Sequence, residues 1–316
     1  MSEWTFPQAI NAAIADAMDE DPRVVLMGED VGEYGGMFRC TLGLLERFGP
    51  NRVFDTPISE SGFVGMALGA ALSGIRPVVE LMFIDFALVA MDPLLNQIAK
   101  TRYMTDGHAN VPLVIRTQGG GYKGAAAQHS QMLEALFLHV PGLKVVCPSS
   151  PNEAYGLLRA AINDPDPVVF VEHKQLYGTK QTERRDVHEI GRARVTREGA
   201  GPTVVSYSYS HQLCLEAAEG TNAEVIDVRT LNPLDFETIA ASVRKSHRVL
   251  VVHEGHRRCG FGADLAAQIQ EELFDELDAP VMRVCAEDVP TPFAVELESQ
   301  SLPNVERIRN AIQELD

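Results

Sequence analysis

Residues 143–172 read Leu-Lys-Val-Val-Cys-Pro-Ser-Ser-Pro-Asn-Glu-Ala-Tyr-Gly-Leu-Leu-Arg-Ala-Ala-Ile-Asn-Asp-Pro-Asp-Pro-Val-Val-Phe-Val-Glu. The stretch predicts a strand over 143–147, a helix over 151–163 and a strand over 167–172. The same alternation continues towards the N-terminus. Thr5-Phe-Pro-Gln8 has the form of a capping box, and it opens a helix with Ile10, Ala13, Ile14, Ala17 and Met18 on one face. A strand is expected at 23–27, a helix at 60–73, a buried strand at 77–82, a helix at 85–104, a strand at 112–117 and a helix start near Ser130. Strands alternating with helices imply a mostly parallel sheet covered on both faces, an α/β fold.

Residues 174–200 break the rhythm with Lys174, Lys180, Glu183, Arg184, Arg185 and Asp186. They read as an interdomain connection. The alternation resumes with strands at 203–208, 224–228, 248–253 and 281–285, and helices at 211–219, 235–244 and 261–276. An amphipathic helix at 303–315 closes the chain. The expected organisation is a first domain over 1–180, a linker over 181–200 and a smaller α/β domain over 201–316. A chain of 316 residues suits two such cores.

The balance of residues is that of an ordinary globular protein, with 45% hydrophobic and 22% charged positions. A formal net charge of −17 argues against a nucleic-acid partner, which needs clustered Lys and Arg. Acidity is strongest around Glu271, Glu272, Asp275, Glu276 and Asp278, readable as a solvated helix face or as a dock for a basic partner. The five cysteines are scattered, which suggests neither a zinc site nor a redox pair and fits a reducing cytoplasm. No signal peptide is apparent, and no stretch approaches the roughly 18 apolar residues of a membrane span.

Within this frame Thr56-Pro-Ile-Ser-Glu-Ser-Gly-Phe-Val-Gly-Met66 places one carboxylate, Glu60, where an extended segment turns into a glycine-spaced helix. Its neighbours Ile58, Phe63 and Val64 are apolar. Lost hydration should raise its pKa and make it a proton donor. The plainer alternative is a helix start, with Ser59 as cap and Glu60 facing the positive helix end. Gly62, Gly65, Gly69 and Ser73 recur at spacings of three and four, a face that lets another backbone pack closely. A glycine-rich loop with Gly32, Gly35 and Gly36 follows Gly28-Glu29-Asp30. His129 sits after a glycine- and alanine-rich loop, suited to proton transfer or incidental to a capping region. Met82-Phe-Ile-Asp-Phe86 places aromatic rings at the C-terminal end of a strand, where open α/β sheets bind ligands, though ordinary core packing is the plainer reading of the segment by itself. His253-Glu254 and His256-Arg257-Arg258 read as a polar loop or an anion or subunit contact. A nucleophile elbow, a His-Glu metalloprotease motif and a Walker loop are all missing.

In order along the chain stand Gly28-Glu29-Asp30, Asp55-Thr-Pro-Ile-Ser-Glu60, Met82–Phe86, Gln128-His129-Ser130-Gln131, His139-Val-Pro-Gly-Leu-Lys-Val-Val146, Glu172-His-Lys-Gln-Leu-Tyr177, His253-Glu254-Gly255 and Asp288-Val-Pro-Thr-Pro292. Together they resemble the beta subunit of the thiamine-diphosphate-dependent first component of 2-oxo acid dehydrogenase complexes, over nearly the whole chain. Met82–Phe86 with Glu172-His-Lys looks closest to the acetoin dehydrogenase branch, with pyruvate and branched-chain members as near neighbours.

The resemblance implies that residues 1–180 form a pyrimidine-binding domain and 201–316 a transketolase C-terminal-like domain. It implies that Glu60 hydrogen-bonds the aminopyrimidine ring of thiamine diphosphate, that Phe86 packs against it, and that Ile58 and Glu29 lie at first-contact and supporting positions. His129 matches the histidine this subunit contributes. Leu113, Ala161, Ile162, Asp164 and Asp166 match a potassium site built largely from backbone carbonyls, with Asp166 standing where relatives commonly carry asparagine. Asp278 matches a position that docks the acyltransferase core. The family's Gly-Asp-Gly magnesium motif is absent; Thr105-Asp106-Gly107 reads as a loop. An alpha subunit is therefore expected to carry magnesium and the diphosphate, in a heterotetramer of two alpha and two beta chains. The implied activity is decarboxylation of a 2-oxo acid such as pyruvate, or cleavage of acetoin, with acyl transfer to lipoamide. Two other readings compete: the pyrimidine-binding half of a split transketolase acting on sugars, and a non-catalytic scaffold.

Overall fold

The computed structural model describes residues 2–316. It divides into two compact units. One comprises the chain up to Gly119 together with Leu136–Ile190; the other comprises Gly120–Ala135 and Gly191–Asp316.

The first unit opens with strand β1 (Glu3–Thr5) and helix α1 (Phe6–Glu20). Thr5 and Gln8 form the expected reciprocal capping box, and the apolar face of α1 is buried. Strand β2 (Val24–Gly28), helix α2 (Leu44–Phe48), strand β3 (Val53–Asp55), helix α3 (Glu60–Leu72) and strand β4 (Arg76–Leu81) follow. The expected helix over 85–104 is broken into a 3-10 turn (Ile84–Leu88), a π-helical stretch (Asp92–Ile98) and the short α4 (Ala99–Met104). Pro93 lies in the first turn of the π stretch, and its missing N–H cannot continue a helix from the preceding turn. After strand β5 (Val114–Gly119), a helix α5 (Glu134–Leu138) begins four residues later than expected. Strand β6 (Lys144–Val146), helix α6 (Pro151–Asn163) and strand β7 (Val168–His173) realise the segment that decides the fold.

Six strands of this unit run parallel in the order β6-β7-β5-β4-β2-β3. Parallel strands carry near-continuous apolar runs because helices cover both faces. The charged exceptions are informative. Glu80, Arg116 and Glu172 sit inside such runs and are fully buried. Arg116 donates from Nε (2.7 Å) and Nη2 (3.0 Å) to the Glu172 carboxylate, and from Nη1 (2.8 Å) to Glu80. Tyr177 also donates to Glu172. A buried charge survives only with such partners. Past β7 the chain forms strand β8 (Lys180–Thr182), which pairs antiparallel with β1.

The second unit contains β9 (Arg194–Arg197), β10 (Thr203–Ser206), α7 (Ser208–Ala217), β11 (Glu224–Asp227), β12 (Thr230–Asn232), α8 (Phe236–Ser246), β13 (Val249–His256), α9 (Phe261–Leu273), β14 (Met282–Ala286), α10 (Val295–Ser301) and α11 (Val305–Leu315). Its sheet runs β14-β13-β10-β11-β9, parallel except for the edge strand β9. The apolar face of α11 seals a core with Val204, Leu250 and Val252. Residues 120–135, which the sequence reading kept in the first domain, belong to this unit.

Candidate active site

In the first unit, the C-terminal ends of β2 and β3 and the start of α3 bring two carboxylates together. Glu60 opens α3 and is 8% exposed; Glu29 follows β2 and is 6% exposed. Phe63 and Val64 are buried beside Glu60 as expected, but Ile58 is 84% exposed and does not dry it. Ser59 occupies the N-cap position without a side-chain cap hydrogen bond, so its capping role is lost, while Glu60 stands in the first turn of α3 at the positive helix end as the plainer reading expected.

Among the described residues neither Glu29 nor Glu60 is paired with a cation, in contrast to Glu80 and Glu172. Glu29 Oε1 is buried with no hydrogen-bond partner. Burial, then the charges of Glu60 and Asp30, push the Glu29 carboxyl up to about 7. Glu29, which the resemblance places at a supporting position, is a carboxyl whose proton affinity the fold raises.

The loop after Glu29 is held from several sides. Asp55 accepts from the Gly32 amide (2.7 Å), Thr41 donates to the Val31 carbonyl (2.7 Å), and Asn11 donates to the Cys40 and Leu42 carbonyls. Phe86 is half-buried in the 3-10 turn after β4. Ser61, in the first turn of α3, donates to the carbonyl of Val89 just past that turn. Glu60 and Phe86 therefore ride on segments tied to each other. The Gly65 and Gly69 face of α3 is open, with no atom within 4 Å of an added Cβ.

In the second unit, His129 is exposed on a bend, and its amide donates to Ala126 (3.2 Å). The loop that carries it is pinned by two carboxylates: Glu254, read from the sequence as part of a polar loop, and Glu298, which the sequence reading did not single out. Glu254 accepts from the Gly121 amide (2.6 Å) and Glu298 from the Gly124 amide (3.0 Å). Gly124 has φ +72°, and an added Cβ would lie 2.5 Å from the Phe293 carbonyl. His253-Glu254 is not a polar loop. Both residues lie buried within the C-terminal half of strand β13. His253 accepts from the Gly262 amide (3.1 Å), and burial pushes its pKa down to about 4. It is a neutral core histidine.

The five residues matched to potassium do gather around the α6–β7 turn, but the protein's own donors meet their oxygens. Leu113 O accepts from the Val168 amide (2.9 Å) and Ala161 O from the Asp164 amide (3.2 Å). Arg76 Nη1 donates to Ile162 O at 2.9 Å and reaches Asp164 O at 3.5 Å. Lys144 Nζ binds both Asp164 carboxylate oxygens at 2.7 Å, and Arg102 pairs with Asp166. Asp106-Gly107 is a turn in left-handed conformation that ends α4, with the Gly107 amide donating to Arg102 O (2.9 Å). Among the described residues no group of three or more His, Cys, Asp or Glu is placed to hold a metal ion. Among the described residues no helix is long and apolar enough to cross a membrane.

Residues 2–180 match the family described as transketolase, pyrimidine binding domain, and residues 191–308 match transketolase, C-terminal domain. The chain is 46% identical to pyruvate dehydrogenase E1 component subunit beta-2, mitochondrial, of Oryza sativa subsp. japonica, over 98% of this chain and 85% of that one. It is 45% identical to pyruvate dehydrogenase E1 component subunit beta of Rickettsia bellii, over 98% of both chains. Among solved structures, a split gene transketolase described as an inactive beta4 tetramer superposes with a TM-score of 0.81 at 23% identity, covering 98% of this chain and 97% of the other; at that identity it shows the fold alone. The two transketolase-like domains and the near-full-length identity to these relatives agree, and the chain belongs to the family of pyruvate dehydrogenase E1 component beta subunits.

Proposed function

We propose that this chain supplies the aminopyrimidine side of a shared thiamine diphosphate site in a 2-oxo acid dehydrogenase component, with pyruvate as the substrate. The observation that carries this reading is the pair of buried carboxyls, Glu60 and Glu29, with no cation beside them. A structural ion pair would be compensated. An uncompensated pair at the C-terminal edge of a parallel sheet is arranged for a ligand that takes and returns a proton. Glu60 would hydrogen-bond the aminopyrimidine ring, and Glu29, lifted to about 7, would hold a proton near neutral pH. Phe86 and the exposed Ile58 offer apolar surface to a flat ring. Thiamine diphosphate, when bound, supplies the carbanion chemistry. His129 is the second proton-transfer group, on a loop held rigid by Glu254 and Glu298.

Residues 1–180 and 201–316, joined by 181–200, serve as the pyrimidine-binding and C-terminal domains. The diphosphate and magnesium belong to an alpha subunit, since Asp106-Gly107 only closes a helix. The open glycine face of α3 suits close approach by another subunit in a heterotetramer of two alpha and two beta chains. Asp278 is exposed among acidic neighbours and is the docking position for an acyltransferase core that receives the acyl group on lipoamide. The cytoplasm is the compartment proposed for the complex.

The motif that favoured acetoin does not speak for it in the fold. Glu172 is locked to Arg116, and Lys174 is buried with its Nζ 4.5 Å from the Phe83 ring centre. Both residues build the core and leave substrate choice open to the partner subunit.

The test is calorimetric titration of thiamine diphosphate with magnesium, on this chain alone and on the chain co-expressed with its alpha partner. Binding only by the pair, with turnover of pyruvate, is the expected result. Tight binding by this chain alone would overturn the shared-site reading.

A further inference from the structure

The α6–β7 turn collects negative charge. It presents the last carbonyls of α6, which have no intrahelical donor and sit at the negative end of the helix dipole. The Asp164 and Asp166 carboxylates add to it. Such a turn attracts a cation. The cations that arrive are side chains. Arg76, the first residue of β4, places Nη1 2.9 Å from Ile162 O and 3.5 Å from Asp164 O, where an ion bridging those two carbonyls would sit. Its Nε stands 3.5 Å from Asp21, the C-terminal cap of α1. Lys144 grips Asp164 and reaches Asp166 at 3.5 Å, and Arg102 pairs with Asp166. Three carboxylates (Asp21, Asp164, Asp166) thus face Arg76, Lys144 and Arg102, and Arg23 adds a second cation to Asp21. Dissolved ions are not kept away by burial. A cleft of about 380 Å³ lined by Arg23, Arg76, His108, Pro112 and Pro165 opens beside the turn.

The residues present therefore do not fit a bound monovalent metal. A potassium ion on the Ile162 and Asp164 carbonyls would lie against the Arg76 guanidinium, with no unpaired carboxylate left to offset the repulsion. We propose that Arg76, assisted by Lys144, is a built-in cation that replaces the monovalent metal at this turn, so that the protein's stability does not depend on potassium.

The test is the thermal midpoint of the purified protein in its native assembly, in chloride salts of potassium, sodium and tetramethylammonium at equal ionic strength. The three midpoints are expected to coincide at every salt concentration. A midpoint that rises saturably with potassium alone, together with anomalous density from thallium on the Ile162 and Asp164 carbonyls, would overturn the proposal. Arg76→Ala, which removes the internal cation, is expected to lower the midpoint in all three salts, and an unchanged midpoint would also overturn it. The wild-type salt series decides the matter even where the variant fails to fold.

Discussion

Replacing Glu29 by Gln tests the electrostatics of the site directly, because it removes one of two uncompensated carboxyls while keeping the shape of the side chain. Burial comes first among the causes that lift the Glu29 carboxyl from 4.5 to about 7, followed by the charges of Glu60 and Asp30. In the unfolded chain the group titrates at the ordinary value of about 4.3. The folded protein therefore holds more protons than the unfolded chain between these two values, and stability falls as pH rises through that window. Below about pH 4.5 both states are protonated and the group costs nothing; above about pH 7 both are ionised and the full cost is present. A rise of this size corresponds to about 3 kcal/mol. Discounted for solvent screening, this leaves about 1–2 kcal/mol.

The cofactor-free Glu29→Gln protein should accordingly be more stable than wild type at pH 8 and indistinguishable from it near pH 4.5. At about 2–4 °C per kcal/mol for a chain of this length, the midpoint difference at pH 8 is about 2–8 °C. Scanning calorimetry of both proteins across this pH range reads the difference directly. A gap that stays constant with pH, or a variant that melts below wild type at pH 8, would refute the reasoning. Gained stability should come with lost turnover, since strain at a site is commonly stored for function.

Glu60→Gln in the assembled complex should lower kcat by about 10²–10⁴-fold, with subunit assembly by gel filtration unchanged. His129→Ala removes an exposed side chain, so its melting midpoint should match wild type while acyl transfer to lipoamide falls; equal transfer rates would remove His129 from the mechanism. Arg116→Met leaves Glu80 and Glu172 buried without their cation and should cost about 3–5 kcal/mol, seen as a large drop in chemical-denaturation midpoint. Gly124→Val forces a side chain into a left-handed backbone 2.5 Å from the Phe293 carbonyl. It should reduce transfer through the His129 loop at a cost of about 1–3 kcal/mol, and wild-type rates would show that the loop need not be rigid.

Several features were legible in the residues alone because they depend on neighbours in sequence. The capping box at Thr5 and Gln8, the strand–helix–strand unit over 143–172 and the amphipathic closing helix are local patterns, and the folded chain keeps them. Arg116 was within reach of the same reading, because a charge inside the apolar run Val114-Ile115-Arg116 signals a buried partner. Its partners on β4 and β7 were not, since pairing depends on strand order. The 85–104 segment was misread for a related reason: helix period persists through it, while Pro93 and the packing against α3 divide it into three forms.

The sequence by itself determined the alternation of strands and helices, the family, and the identity of Glu60, Phe86 and His129 as the residues to watch. Those rest on local periodicity and ordered motifs. The tertiary structure alone decided that burial lifts the Glu29 carboxyl, that Glu254 and Glu298 pin the histidine loop, and that Arg76 meets the Ile162 and Asp164 carbonyls. Each of these depends on groups far apart in the chain, whose burial and charge take effect only when folding brings them within a few ångströms and removes the water between them.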